Sequence, residues 1–233
     1  MTPLVLLPGM MCDGRLFAPQ IAAIRDRAVM VAPVANGDTI ATIAAEVLRV
    51  APARFALAGL SMGGIVAMEM MAQRPHRIAG LCLMDTNALA ESEEVAAARE
   101  PQIERVRSGG LRDVMRNEMK PNYLADGPHR GAILDTCLEM AEDHGWGVFV
   151  RQSRALQVRM DRQDVLRAVA VPSLVLCGRE DRLCPLEGHE LMRDLIPGAR
   201  LAVVEGAGHL PVLERPKETN AHLREWLSAV DAT

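Results

Sequence analysis

One serine in this chain is set between glycines in a pattern that does chemistry: Gly59-Leu60-Ser61-Met62-Gly63. An apolar, strand-like run, 55–60, leads into it, and a helix-like run, 65–73, leads out. A G-x-S-x-G sequence between strand and helix has the form of a nucleophile elbow. A strand that turns at once into a helix strains the corner residue and crowds its neighbours. Residues without a Cβ are therefore needed at Gly59 and Gly63. The same turn presents the Ser61 hydroxyl and aims the first amides of the helix at the space in front of it. A developing negative charge can be held there.

A serine hydroxyl is a poor nucleophile at neutral pH. It needs a base to take its proton, and the base needs an orienting carboxylate. In open α/β sheets, ligands gather outside the carboxyl ends of the strands, so the partners should follow strands. His209, in Glu205-Gly206-Ala207-Gly208-His209, follows the last strand-like run, 201–204. His76, His189 and His222 fall in or beside helical patterns, and His129 and His144 lie in a helical block. Asp181, in Gly178-Arg179-Glu180-Asp181-Arg182, follows the run 173–177. Glu180 is adjacent but should point the other way. Asp85, at the end of the run 78–84, is the alternative acid.

The elements that must position these residues are legible as apolar runs and periodic stretches. Strands are expected at 4–7, 29–32, 55–60 and 78–84, with helices between them, including one capped by Asp38 or Thr39 with Ile40, Ile43, Ala44, Val47 and Leu48 on one face. The helix after the elbow should place Ile65, Met68 and Ala72 on one stripe. Such alternation predicts a parallel sheet with right-handed crossovers. From about 88 to 161 only helical patterns appear, at 91–107, 111–120, 129–143 and 147–158. Strand–helix alternation then resumes, with strands at 173–177 and 201–204 and a closing helix near 215–230. The expected organisation is an α/β core, residues 1–87 and 162–233, with a helical cap or lid at 88–161. In that cap Met115, Met119, Tyr123, Leu124, Met140, Trp146 and Phe149 are candidates for an apolar acyl pocket or for the cap's own core. Arg112, Arg116, Arg151 and Arg154 are candidates for an anionic substrate or a solvated face.

The bulk properties narrow the class. The 233 residues carry a net charge of -4 and only 3% aromatic residues, which argues against a nucleic-acid-binding surface. The five cysteines are odd in number and form no C-x-x-C pair, which reads as thiols in a reducing compartment rather than a disulfide framework or a zinc site. Neither a secretory signal pattern nor an apolar run of membrane-spanning length is found, so a cytoplasmic protein is expected.

With Leu6-Leu7-Pro8-Gly9, Gly59-Leu60-Ser61-Met62-Gly63-Gly64, Gly178-Arg179-Glu180-Asp181 and the segment Gly206-Ala207-Gly208-His209-Leu210-Pro211-Val212-Leu213-Glu214-Arg215-Pro216, the chain resembles the α/β-hydrolase superfamily over nearly its whole length. Within it, the chain is similar to small helical-capped carboxylesterases such as the pimeloyl-carrier-protein methyl ester esterases. The order Ser61, Asp181, His209 is that superfamily's nucleophile–acid–base order. The resemblance implies about six mainly parallel strands flanked by helices. It also implies an oxyanion hole from the amide of Met62 and one from the loop after the first strand. There this chain has Pro8-Gly9-Met10 where the family has a His-Gly pattern, so Met10 is expected to serve, with Met11 the fallback. The implied activity is hydrolysis of small to medium carboxylic esters without metal or cofactor. Thioester, lactone and C–C bond cleavage or proton-transfer lyase chemistry on the same triad, and a non-catalytic receptor of this fold, are the alternatives.

Overall fold

A computed structural model of the chain describes residues 1–119 and 122–233. Six strands form one sheet: β1 (Leu4–Leu7), β2 (Val29–Val31), β3 (Phe55–Leu60), β4 (Ile78–Met84), β5 (Ser173–Gly178) and β6 (Arg200–Val204). Their spatial order is β2-β1-β3-β4-β5-β6, and every pairing is parallel. β1, β3, β4 and β5 are buried along their whole length, which is why they read as continuous apolar runs.

Alternate side chains of each strand enter two separate cores. Val5, Leu7, Leu57, Leu81, Leu83 and Val175 face one layer of helices; Leu4, Leu6, Ala58, Cys82, Leu174 and Leu176 face the other. The first layer contains α2 (Ile40–Val50) and α3 (Met62–Gln73); the second contains α1 (Ala18–Ala23) and the closing helix α10 (Pro216–Asp231). α2 starts at Thr39, whose hydroxyl accepts from the Thr42 amide in a capping box, and it buries the five residues expected. α10, the closing helix, buries Leu223, Trp226, Leu227 and Val230.

α3 corrects the striped reading. It is buried from Met62 through Met71 because it lies between the sheet, α2 and a later helix, α7 (Gln163–Arg167); Ala72 is exposed. A helix covered on several sides needs no polar face.

Between β4 and β5 the described residues hold helices and turns only. These are α4 (Glu93–Arg105), wide π-type turns at Val106–Gly110 and Val114–Met119 around α5 (Leu111–Asp113), then α6 (Arg130–Gln157) and α7 (Gln163–Arg167). The two helices expected at 129–143 and 147–158 are joined as α6, with the break at Gly145 (φ 73°, ψ 169°). Lys120, the last residue of the helix expected at 111–120, lies outside the described residues. α8 (Leu186–Leu195) lies between β5 and β6, and the short α9 (Pro211–Glu214) is a helix that the sequence pattern does not predict. Among the described residues no helix is long and apolar enough to cross a membrane.

The tightest place in the fold is where β3 turns into α3. A Cβ on Gly63 would collide with the Leu7 carbonyl oxygen, and one on Gly59 with the carbonyl of Gly63. Gly63→Ala should therefore lower stability by about 1–3 kcal/mol or more, since backbone cannot yield as a side chain can. Gly131→Ala, where nothing lies within 4 Å, should change stability by less than about 1 kcal/mol. Urea midpoints of the two variants check this; equal midpoints would contradict it.

Candidate active site

Ser61 sits at φ 55°, ψ -119°, a region a residue with a side chain rarely enters. Its backbone is held on both sides. The Ser61 amide donates to the Met84 carbonyl (2.9 Å), and its carbonyl accepts from the Gly64 amide (2.9 Å) and the Thr86 hydroxyl (2.8 Å). Among the described residues, Met11 (φ 57°) and Asp85 (φ 44°) are the other non-glycine residues with positive φ. All three lie just beyond the carboxyl ends of the central strands β1, β3 and β4, so backbone strain is concentrated at one edge of the sheet.

Asp181 and His209, expected after β5 and β6, are brought together there. His209 Nδ1 lies 2.7 Å from Asp181 Oδ2, and both side chains are fully buried. Asp181 Oδ1 accepts from the amides of Leu183 (2.8 Å) and Cys184 (3.0 Å). Burial pushes the Asp181 carboxyl up, but the imidazole and these amides outweigh it and leave it below its ordinary value. An ionised Asp181 fixes the proton of His209 on Nδ1. His209 Nε2 is buried and has no hydrogen-bond partner, and Ser61 Oγ is not bonded to it in this arrangement. The edge of the Tyr123 ring packs on the imidazole, with centroids 4.9 Å apart.

Asp85, the alternative acid, is held elsewhere: its Oδ1 accepts from the Gly178 amide (2.9 Å) rather than from histidine. Burial, and then the charge of neighbouring Asp181, hold its carboxyl well above the usual range, and the Gly178 N–H offsets this only in part. Two adjacent carboxyls thus divide into one ionised and one that favours its proton. His189, also buried, accepts from the Thr86 amide through Nε2 (3.2 Å) and faces the Pro185 carbonyl through Nδ1 (3.1 Å), a structural role.

Ser61, Met62 and Met10 line one cavity of about 540 Å³. Met11, the fallback oxyanion residue, has its amide committed to Gln152 Oε1 (2.9 Å), and Gln152 Nε2 reaches the Val34 carbonyl (3.1 Å). Gln152, from α6, thereby fixes the loop after β1. The loop bearing His209 is fixed by Glu214. Its Oε1 accepts from the amides of Gly208 and Leu210 (3.0 Å each), and its Oε2 from that of Ala125 (2.8 Å). The sequence reading assigned neither residue a role, because a buried polar side chain clamping a distant loop has no local pattern.

Of the seven apolar residues considered for an acyl pocket, Met119 and Tyr123 line the cavity. Met115, Met140, Phe149 and Leu124 are core, and Trp146 is 57% exposed. The four arginines considered for an anionic substrate do not line it. Arg112 pairs with Glu142 (2.5 Å) and Arg154 with Glu100, both with much exposure. Arg99 and Arg159 line it instead.

Ligand atoms of Asp181, Cys184 and His209 lie within 4.8 Å of one another. They make a poor metal site. Burial pushes the Cys184 thiol well up, so it keeps its proton, and both Asp181 oxygens already accept hydrogen bonds.

A model of the alpha/beta hydrolase family matches residues 4–222. The biotin biosynthesis bifunctional protein BioHC of Teredinibacter turnerae is 22% identical over 210 residues, 82% of this chain and 36% of that protein. The pimeloyl-[acyl-carrier protein] methyl ester esterase of Neisseria meningitidis serogroup A is 24% identical over 178 residues, 74% of this chain and 56% of that one. The chain thus spans between about a third and somewhat over half of the length of these two relatives. A thermophilic esterase from Thermogutta terrifontis, solved with malate bound, superimposes with a TM-score of 0.88 at 29% identity, covering 99% of this chain and 90% of that one.

The Asp85 environment sets a pH dependence. With its folded pKa raised, the folded state holds a proton that the unfolded chain releases above about pH 4. Stability from this group therefore falls as pH rises from there. Asp85→Asn removes the effect, so the stability difference, variant minus wild type, should be more positive at pH 8 than at pH 5 in urea unfolding. An equal difference at the two pH values would contradict this.

Proposed function

The chain belongs to the alpha/beta hydrolase family, and from that premise we propose that it cleaves carboxylic esters of small to medium acyl groups through an acyl-enzyme on Ser61. The observation that carries this reading is the pairing of two features. An elbow serine opens on a cavity, and a buried histidine is locked through Nδ1 to a carboxylate while its Nε2 is unbonded. Tyr123 and Cys184 line the cavity and also touch or adjoin this pair, so the imidazole stands just behind the cavity wall.

In the proposed reaction His209 Nε2 takes the Ser61 proton as Oγ attacks the ester carbonyl. A hydroxyl rotation of the kind that tightens on substrate binding closes the Ser61–His209 contact. The amides of Met62 and Met10 hold the oxyanion; each such donor is worth about 2.7–4 kcal/mol of barrier. Collapse breaks the ester C–O bond, and the imidazolium returns its proton to the leaving alkoxide. Water, deprotonated by the same nitrogen, then adds to the acyl-enzyme and releases the acid and Ser61. Asp181 keeps the imidazole in the right tautomer and stabilises its charge. The helical insertion, 88–161, acts as a cap that supplies the outer cavity wall and decides which acyl groups fit.

Ser61→Ala should cut hydrolysis of p-nitrophenyl butyrate by at least about a thousandfold, and Asp181→Asn by a comparable factor. Asp85→Asn should lose far less. Purified variants with unchanged circular dichroism settle the matter. An unchanged rate in Ser61→Ala removes the nucleophile, and a greater loss in Asp85→Asn than in Asp181→Asn reverses the choice of acid.

A further inference from the structure

Away from Ser61, the cavity wall carries three buried charges. Glu91, in the segment before α4, has a side chain 2% exposed; Arg99, on α4, is 14% exposed and Arg159, after α6, 10%. Arg99 holds Glu91 through Nε (2.5 Å) and Nη2 (3.1 Å), and Arg159 holds it through Nη1 (2.8 Å). Arg159 gives its other donors to neutral oxygens, the Leu89 carbonyl (3.0 Å) and Asn87 Oδ1 (3.5 Å). Arg99 Nη1 has no hydrogen-bond partner among the described residues. Two guanidiniums therefore share one carboxylate, and one positive charge is left over. Glu118, the other acid on the cavity wall, does not cancel it, because it is engaged by the half-exposed Arg105.

An unmatched charge taken out of water is costly, and folds that keep one ordinarily have a partner for it. Burial pushes the Arg159 guanidinium below its usual value, with Arg99 opposing it further, despite Glu91. The cluster is short of negative charge, and its open side is the cavity that contains the nucleophile.

We propose that the missing charge comes with the substrate: the esters taken by this cavity carry a carboxylate, which Arg99 and Arg159 bind while Glu91 holds the two guanidiniums in place. This rests on the hydrolase reading above and narrows it to anionic esters. A surplus of one charge matches a monoanionic carboxylate better than a dianionic phosphate, and a guanidinium fork suits its two oxygens.

The test uses p-nitrophenyl half-esters of succinate, glutarate and adipate, each against its methyl-capped neutral counterpart. In the wild type, kcat/KM for at least one anionic ester should exceed that of its neutral partner tenfold or more. Arg99→Gln should lower that anionic-to-neutral ratio at least tenfold, and Arg99→Lys should restore part of it. Glu91→Gln adds a second unmatched charge, so it should raise the ratio, whereas a purely structural trio would lose both activities together. A wild-type ratio near one, or a ratio unmoved in Arg99→Gln, overturns the proposal while leaving the esterase reading intact. If neither ester class is cleaved, the esterase reading fails on its own, and calorimetry with succinate, glutarate and adipate decides the anion site. Binding weakened tenfold by Arg99→Gln sustains it; no binding of any of the three overturns it.

Discussion

The structure depends on a steric constraint where β3 meets α3. Ser61 can hold its strained backbone only because Gly59 and Gly63 leave room for the chain to pass itself and for Leu7 of the neighbouring strand. The strain is held, rather than released, by hydrogen bonds to the end of β4, to Thr86 just beyond it and to the first turn of α3. Once Ser61 is fixed, the site has to be assembled at the carboxyl edge of the sheet. There the chain repeats the device, with Met11 and Asp85 also at positive φ. Strain of this kind persists where surrounding structure over-determines it, and here the surroundings are four fully buried strands.

The helical insertion and the carboxyl edge of the sheet are tied together by hydrogen bonds. Gln152 of α6 fixes the loop that bears Met10 and Met11. The Tyr123 carbonyl accepts the His209 amide (2.6 Å), and Glu214 ties the Ala125 amide to those on either side of His209. Gln152 is buried and Glu214 half-buried, and each is engaged at both ends of its polar group, the kind of contact that specifies one arrangement rather than merely adding stability. The same insertion brings Arg99, Glu91 and Arg159 to the wall of the cavity that Ser61 also lines.

Much of this was legible in the sequence where the signal is local. Uninterrupted apolar runs marked the six strands, most plainly the four buried on both faces, which need no alternation, and Asp38 or Thr39 marked the start of α2, where Thr39 is the cap. Ser61, Asp181 and His209 are candidates because each follows a strand, and the fold puts the last two in contact. What failed to show was long-range. The stripe assigned to Ile65, Met68 and Ala72 dissolved because α3 is covered by neighbours that a helical period does not reveal. Arginines at helical spacing drew attention to 112, 116, 151 and 154. The pair on the cavity, Arg99 and Arg159, is sixty residues apart and joined only through Glu91. Asp85 and Asp181 are separated by their hydrogen-bond partners, Gly178 N–H and His209, which no spacing encodes.

The central claim is that Ser61 is a nucleophile activated by His209. The most direct measurement is covalent labelling with a fluorophosphonate, read by intact mass and peptide mapping. One adduct per chain, on Ser61, formed by the wild type and slowed by orders of magnitude in His209→Ala, is the predicted result. No adduct, an adduct on another residue, or labelling as fast in His209→Ala as in the wild type would contradict the account.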